Sequence, residues 1–193
     1  MKKISAFVVL LGMIFTISAC SNTVTGSYNW DMDNFVATTQ DDKEFSNDDL
    51  KGKIWVTDFM FTSCETVCPP MTTNMKRIQK MVAEEGLSDE VGFLSLSVDP
   101  TIDTSAELTT FAKKMNVDQS NWVFLTGYDQ QFIEDFAKDT FRTIVSKPEQ
   151  TDQVIHDTKF FLIDKEGKVI KSYSGVSKTP YDEIIKDIKT LSR

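Results

Sequence analysis

Between Lys53 and Phe61 the chain reads KIWVTDFMF, a near-continuous apolar run rich in aromatic and β-branched residues. A strand with one wet face alternates apolar and polar residues; one without alternation has to be covered on both faces. This segment is the expected central strand of a sheet with helices on either side. Directly after it come Cys64-Glu65-Thr66-Val67-Cys68-Pro69-Pro70, and then Met71, Met75, Ile78 and Val82, with Met81 beside them, recur at helical spacing until Gly86. Strand and helix therefore meet at residues 64–70.

The rest of the chain continues the alternation. Val91 to Val98 is β-like, Thr104 to Met115 is helical through Leu108, Phe111 and Met115, Trp122 to Leu125 is β-like, and Asp129 to Lys138 is helical through Phe132, Ile133 and Phe136. Ser146 to Gln153, with Pro148, reads as a polar loop. Thr158–Ile163 and Lys168–Tyr173 flank Asp164-Lys165-Glu166-Gly167 as a hairpin, and Thr179 opens an amphipathic helix through Ile184, Ile185, Ile188 and Leu191. Upstream, Phe35–Thr39 and Lys43–Phe45 form a small N-terminal hairpin around Gln40-Asp41-Asp42. The fold class is α/β, with one domain over residues 34–193 and no internal repeat.

The first residues read as a targeting segment. Lys2 and Lys3 precede the apolar or small-residue run Ile4 to Ala19, short for a membrane span but suited to a signal-peptide core. Its end, Ile17-Ser18-Ala19-Cys20, resembles the bacterial lipobox, so residues 1–19 are expected to be removed and Cys20 to carry lipid, with residues 20–33 as a polar tether. An uncleaved anchor is the alternative; either places the domain on the extracytoplasmic face of a bacterial cell membrane. The whole chain carries a net charge of -8, and losing Lys2 and Lys3 leaves 19 basic against 29 acidic residues, or -10. That balance repels nucleic acid, and it assigns membrane attachment to lipid rather than to basic residues.

A single histidine excludes HExxH metalloprotease chemistry, and no GxGxxG or GxxxxGK[ST] loop supports a nucleotide enzyme. With Cys20 in the anchor, Cys64 and Cys68 are the free thiols, four apart in an oxidising compartment. In an ideal helix their Cβ atoms would be ~5–6 Å apart, wider than the 3.5–4.5 Å of a disulfide. Because a residue before proline avoids the α region, Cys68 and Pro69 are expected to precede the helix, leaving Cys64 free to fold back. A helix N-terminus favours a thiolate, which serves as nucleophile and as metal ligand. His156, after the polar loop and before a buried strand, is placed to reach the top of the central strand. Two thiolates and an imidazole suit Cu(I), whereas zinc usually takes a fourth ligand. A static disulfide and an ordinary surface histidine are the plainer alternatives.

Three motifs, Phe61-Thr62-Ser63-Cys64-Glu65-Thr66-Val67-Cys68-Pro69, Ser97-Val98-Asp99-Pro100-Thr101-Ile102-Asp103-Thr104, and His156-Asp157-Thr158 leading into Phe161-Leu162-Ile163-Asp164-Lys165-Glu166-Gly167, give the chain its family likeness. It resembles the Sco/SenC proteins from about Phe35 to Leu191. The resemblance implies a thioredoxin-like fold, a central mixed sheet flanked by helices, and one copper ion, Cu(I) or Cu(II), held by Cys64, Cys68 and His156. It implies that this copper metallochaperone serves the CuA centre of cytochrome c oxidase subunit II, with an unidentified copper donor and thiol reductant as further partners. The alternative is a thiol-disulfide oxidoreductase that keeps the subunit II cysteines reduced through the redox pair Cys64 and Cys68; CxxxC rather than CxxC counts against it. Asp99 is a weak accessory candidate that could equally cap the turn at Pro100. Asp58, six residues before Cys64, matches the spacing of thioredoxin's buried acid and could take a proton during disulfide exchange, or serve as a hydrogen-bonded strand-end carboxylate. Thr62-Ser63 before Cys64 leave no second imidazole in the loop, and Met71, Met75, Trp55 and Trp122 read as core.

Overall fold

The computed structural model describes residues 23–151 and 153–193. The signal segment and Cys20 lie outside the described residues. Among the described residues no helix is long and apolar enough to cross a membrane.

The elements are β1 (Val36–Thr39), β2 (Glu44–Ser46), α1 (Asn47–Leu50), β3 (Ile54–Met60), α2 (Cys68–Glu84), β4 (Val91–Ser97), α3 (Ser105–Lys114), β5 (Trp122–Thr126), α4 (Gln130–Phe141), β6 (Val145–Ser146), β7 (Ile155–His156), β8 (Lys159–Ile163), β9 (Val169–Ser174) and α5 (Tyr181–Leu191). Seven strands form one mixed sheet in the order β2-β1-β5-β4-β3-β8-β9. Strand β3 lies inside it, parallel to β4 and antiparallel to β8, with all seven residues buried, which is why its sequence does not alternate. Phe59 packs edge-on against Phe141 of α4 and Phe161 of β8, with ring centroids 5.2 and 6.0 Å away. Gly92 of β4 is required by close approach: a Cβ there would stand 2.4 Å from the Trp55 ring.

Local chemistry fixes the helix starts. The Thr104 hydroxyl accepts from Glu107 N–H and the Asp129 carboxylate from Phe132 N–H, filling donors that a helix leaves unpaired. Helix α4 stops where Arg142 turns left-handed (φ 54°), directing the chain into β6. The polar loop is present as expected, but its ends pair: β6 and β7 form an antiparallel ribbon with Val145 opposite His156.

Two expectations need correction. Cys68 is the first residue of α2, with Pro69 and Pro70 also inside it. The first-turn N–H groups have no helical partner, so two prolines cost no intrahelical bond there, and Met71 N–H still donates to Val67 C=O at 3.1 Å. The described part of the tether, residues 23–33, does not hang free. Val24 is 3% exposed, Tyr28 N–H donates to Ile170 C=O, and Trp30 and Val169 exchange both backbone hydrogen bonds. Strand β9 is a sheet edge whose unpaired backbone groups this segment satisfies. Tyr28, Trp30 and Met32 alternate with polar residues, a strand-like signal in a stretch otherwise polar enough to read as linker.

Candidate metal centre

The site lies beyond the carboxyl end of β3, where open α/β sheets place their ligands. Three segments meet there. The loop at residues 61–67 carries Cys64, the first turn of α2 carries Cys68, and the β6–β7 ribbon carries His156. Neither Cys64 nor Cys68 is in a disulfide, both are buried, and their Sγ atoms lie with a His156 ring nitrogen within 4.8 Å of one another.

Each donor is oriented by a neighbour. Cys68 N–H, one of the unpaired donors at the start of α2, donates to Cys64 Sγ at 3.3 Å, and Cys64 N–H donates to Phe61 C=O at 3.2 Å. His156 Nδ1 is 2.9 Å from Asp157 C=O. A carbonyl can only accept, so Nδ1 carries a proton, which leaves Nε2 as the nitrogen available to a metal. That Nε2 faces Cys68 Sγ at 3.7 Å, and the ring stands edge-on to Phe61. Ligand atoms about 2.0–2.3 Å from a shared ion in a trigonal plane would be about 3.5–4 Å apart. The Cys68–His156 separation of 3.7 Å falls in that range, and the set as a whole, within 4.8 Å, is close enough to hold one soft metal.

The two thiols are electrostatically unlike. The hydrogen bond from Cys68, with help from His156 and backbone N–H groups and against the effect of burial, pulls the Cys64 thiol down to about 3. Sharing a hydrogen bond with Cys64, together with burial, pushes Cys68 far up. The surroundings therefore favour the thiolate at Cys64 and the protonated thiol at Cys68.

Asp58 sits below the thiols on β3. Burial pushes its carboxyl up to about 6, while the hydrogen bond from Ser95 and the nearness of His156 pull the other way. Its hydrogen bond is to Ser95 Oγ at 2.7 Å, and that hydroxyl also accepts from Trp122 Nε1 at 3.0 Å. The structure thus brings Asp58 within electrostatic reach of Cys68 and His156 without hydrogen-bonding it to either.

Asp99 is not among the converging donors. Its carboxylate accepts from Lys147 Nζ at 2.6 Å and from Thr101 Oγ1 at 3.0 Å, and its carbonyl accepts from Ile102 and Asp103 N–H. It both shapes the turn at Pro100 and grips the loop that leads to His156. Lys147 is held a second time, its N–H donating to Glu134 Oε1 at 3.0 Å.

Sequence reasoning missed Asp103 and Lys147. Asp103 is fully buried; its carboxylate accepts from Thr62 N–H, from Thr62 Oγ1 at 2.6 Å and from Ser97 Oγ at 2.6 Å, clamping the start of the cysteine loop. It stands in the same motif as Asp99, so the only signal was a second carboxylate four residues on. Beside the ribbon, Arg142, Thr143, Ile144, Ile155, His156 and Asp157 line a shallow depression of about 330 Å³, with Ile144 and Ile155 largely exposed.

A family model described as SCO1/SenC matches residues 28–193. A SCO1/SenC family lipoprotein from Bacillus anthracis str. Ames is similar in structure, at 53% identity and a TM-score of 0.84, covering 89% of this chain and 100% of that one. BsSco, described as a member of the Sco family of cytochrome c oxidase assembly proteins with a disulfide switch, matches at 45% identity and a TM-score of 0.80, covering 88% and 98%. ScoI of Bradyrhizobium japonicum, solved with copper bound, shares the fold at 23% identity and a TM-score of 0.68, covering 83% and 98%.

Proposed function

The chain belongs to the SCO1/SenC family, and from that premise we propose that it is a lipid-anchored, extracytoplasmic copper carrier that loads the CuA centre of cytochrome c oxidase subunit II. It is a Sco-family copper-binding protein of cytochrome c oxidase assembly. The observation that carries the finer reading is the convergence of Cys64, Cys68 and His156 Nε2 in one thioredoxin-like loop cluster.

The cargo is one copper ion. Cys64 enters as the thiolate, Cys68 releases its proton as the ion arrives, and His156 closes the set from the ribbon. Three ligands from three segments leave the ion open on the exposed side, where an acceptor's thiolates can replace them one at a time. Asp58 acts beneath as an accessory charge that resists ionisation of Cys68. Loading and disulfide formation exclude each other, since both consume the same sulfurs. Anchoring through a lipid on Cys20 is supported by the lipobox-like sequence and by the B. anthracis relative's description as a lipoprotein.

The asymmetry of the thiols favours one second reading, a dithiol reductant of the acceptor. The Cys64 thiolate attacks an acceptor disulfide and forms a mixed disulfide; Cys68, once deprotonated, attacks Cys64 Sγ and releases the acceptor dithiol, leaving a Cys64–Cys68 disulfide. Two electrons pass to the acceptor, and an external thiol must restore the pair.

Anaerobic copper titration of the reduced protein, beside Cys64→Ala, Cys68→Ala and His156→Ala, tests the first reading. One ion bound tightly and lost in all three variants is expected. Unchanged affinity in His156→Ala refutes the three-ligand site, and weak binding by the parent leaves thiol exchange as the function.

A further inference from the structure

The docked amino-terminal segment ends at the pole of the sheet opposite the thiols. Strand β8 runs antiparallel to β3, with Trp55 opposite Ile163 and Thr57 opposite Phe161, so Asp164 lies at the end of the sheet where β3 begins. The last turn of α5 is there too: Lys165 Nζ donates to Ser192 C=O at 3.2 Å and to Glu90 Oε2 at 3.0 Å, drawing the β8–β9 turn, the entry to β4 and the end of α5 together. Thr23 and Val24 line a shallow depression with Asp164, Ile170 and Leu191.

We propose that the domain stands on the bilayer with this pole toward the lipid and with Cys64, Cys68 and His156 on the far side, so that its partner is a protein domain presenting an acceptor site well above the membrane surface. This rests on the reading of Cys20 as the lipid-bearing residue. Four residue steps separate Cys20 from the buried Val24 and reach at most about 14 Å, whatever their conformation. The seven residues of β3 alone hold the two poles about 23 Å apart. The leader is therefore shorter than the distance through which the thiols would have to descend. The pinning of Tyr28 and Trp30 on β9 prevents it from lengthening, and the net negative charge gives the domain as a whole no attraction to anionic headgroups.

The test uses the full, lipidated chain on vesicles with an acceptor dye on the headgroups. A donor fluorophore is introduced as a non-cysteine residue at position 166, exposed at the lipid-facing pole, or at position 144, exposed beside His156. Energy transfer is expected to place the donor at 144 about 20 Å farther from the headgroups than the donor at 166. Flotation with the vesicles but equal heights overturns the orientation and leaves the anchor standing; failure to float overturns the anchor and the orientation with it. A twenty-residue Gly/Ser insertion between Asn22 and Thr23, spanning about 25 Å, is expected to abolish the height difference. A difference that survives the insertion shows that the short leader is not its cause and refutes the proposal.

Discussion

Replacing Asp103 by Ala removes the acceptor for Thr62 N–H, Thr62 Oγ1 and Ser97 Oγ at a position with no solvent access. An unsatisfied buried donor costs about 1–3 kcal/mol, and the part-buried Thr62 groups can recover some of their loss from water, so the variant should lose about 2–4 kcal/mol. For a domain of this size that corresponds to a fall in Tm of roughly 4–16 °C. Denaturant unfolding of the reduced protein measures it. A cycle with Thr62→Val isolates the clamp, with an expected coupling of about 1–2 kcal/mol. Asp103→Asn adds a sign. Burial, opposed by the Ser97 and Thr62 hydrogen bonds, raises the Asp103 pKa above its usual value of 3.8, so the folded state binds that proton more tightly than the unfolded chain. The parent therefore gains stability from this group at acid pH and loses it as pH rises through the raised value, and the deficit of Asp103→Asn should narrow over that window. A loss below 1 kcal/mol in Asp103→Ala, or a deficit in Asp103→Asn that widens with pH, refutes the clamp.

Lys147→Met leaves the buried Asp99 carboxylate without its cation and should cost about 2–4 kcal/mol in chemical unfolding, with Asp99→Asn recovering part of the loss in the same background. Because the Cys68 hydrogen bond favours the thiolate at Cys64, limited iodoacetamide at pH 6 should mark Cys64 first by peptide mass analysis, and Cys68→Ala should slow that reaction at acid pH by raising the Cys64 pKa. Gly92→Ala drives a methyl into the Trp55 ring and should lower stability by about 1–3 kcal/mol in a thermal melt, with copper binding per folded molecule unchanged.

The central strand was legible because its burial leaves a compositional mark: a run that never alternates has only one place in a sheet. The meeting of Cys64 with Cys68 was legible from chain adjacency, and His156 from being the chain's lone imidazole ahead of a buried strand. The start of α2 was misread because the pre-proline preference is local, whereas capture of Cys68 N–H by Cys64 Sγ depends on the loop returning. The docking of Val24 to Trp30 was hidden by Asn29, Asp31 and Asp33, whose polarity speaks for solvent on one face and conceals the partnered backbone on the other. Lys147 was illegible for a different reason. A lysine in a polar loop is ordinarily solvated, and only the fold brings a buried carboxylate from residue 99 to meet it.

Two of these misses, Asp103 and Lys147, meet at one location. Asp103 fixes the loop that carries Cys64, and Asp99 fixes the loop that carries His156, while Asp103 N–H donates to Asp99 C=O at 2.8 Å. The turn from Ser97 to Asp103 therefore sets the thiols and the imidazole relative to each other, although it supplies no ligand. Its placement follows from the sheet. β4 lies beside β3 in parallel register, with Met60 opposite Ser97, so the loop leaving β4 emerges next to the loop leaving β3. A buried turn bearing two carboxylates is costly unless they find donors, and here Thr62 and Lys147 of the metal-site loops supply them together with Ser97 and Thr101 of the turn itself. The polar groups that the fold must satisfy at this end are the same ones that position the donors. Disturbing either carboxylate should thus weaken copper binding and stability together, whereas removing His156 should weaken binding alone.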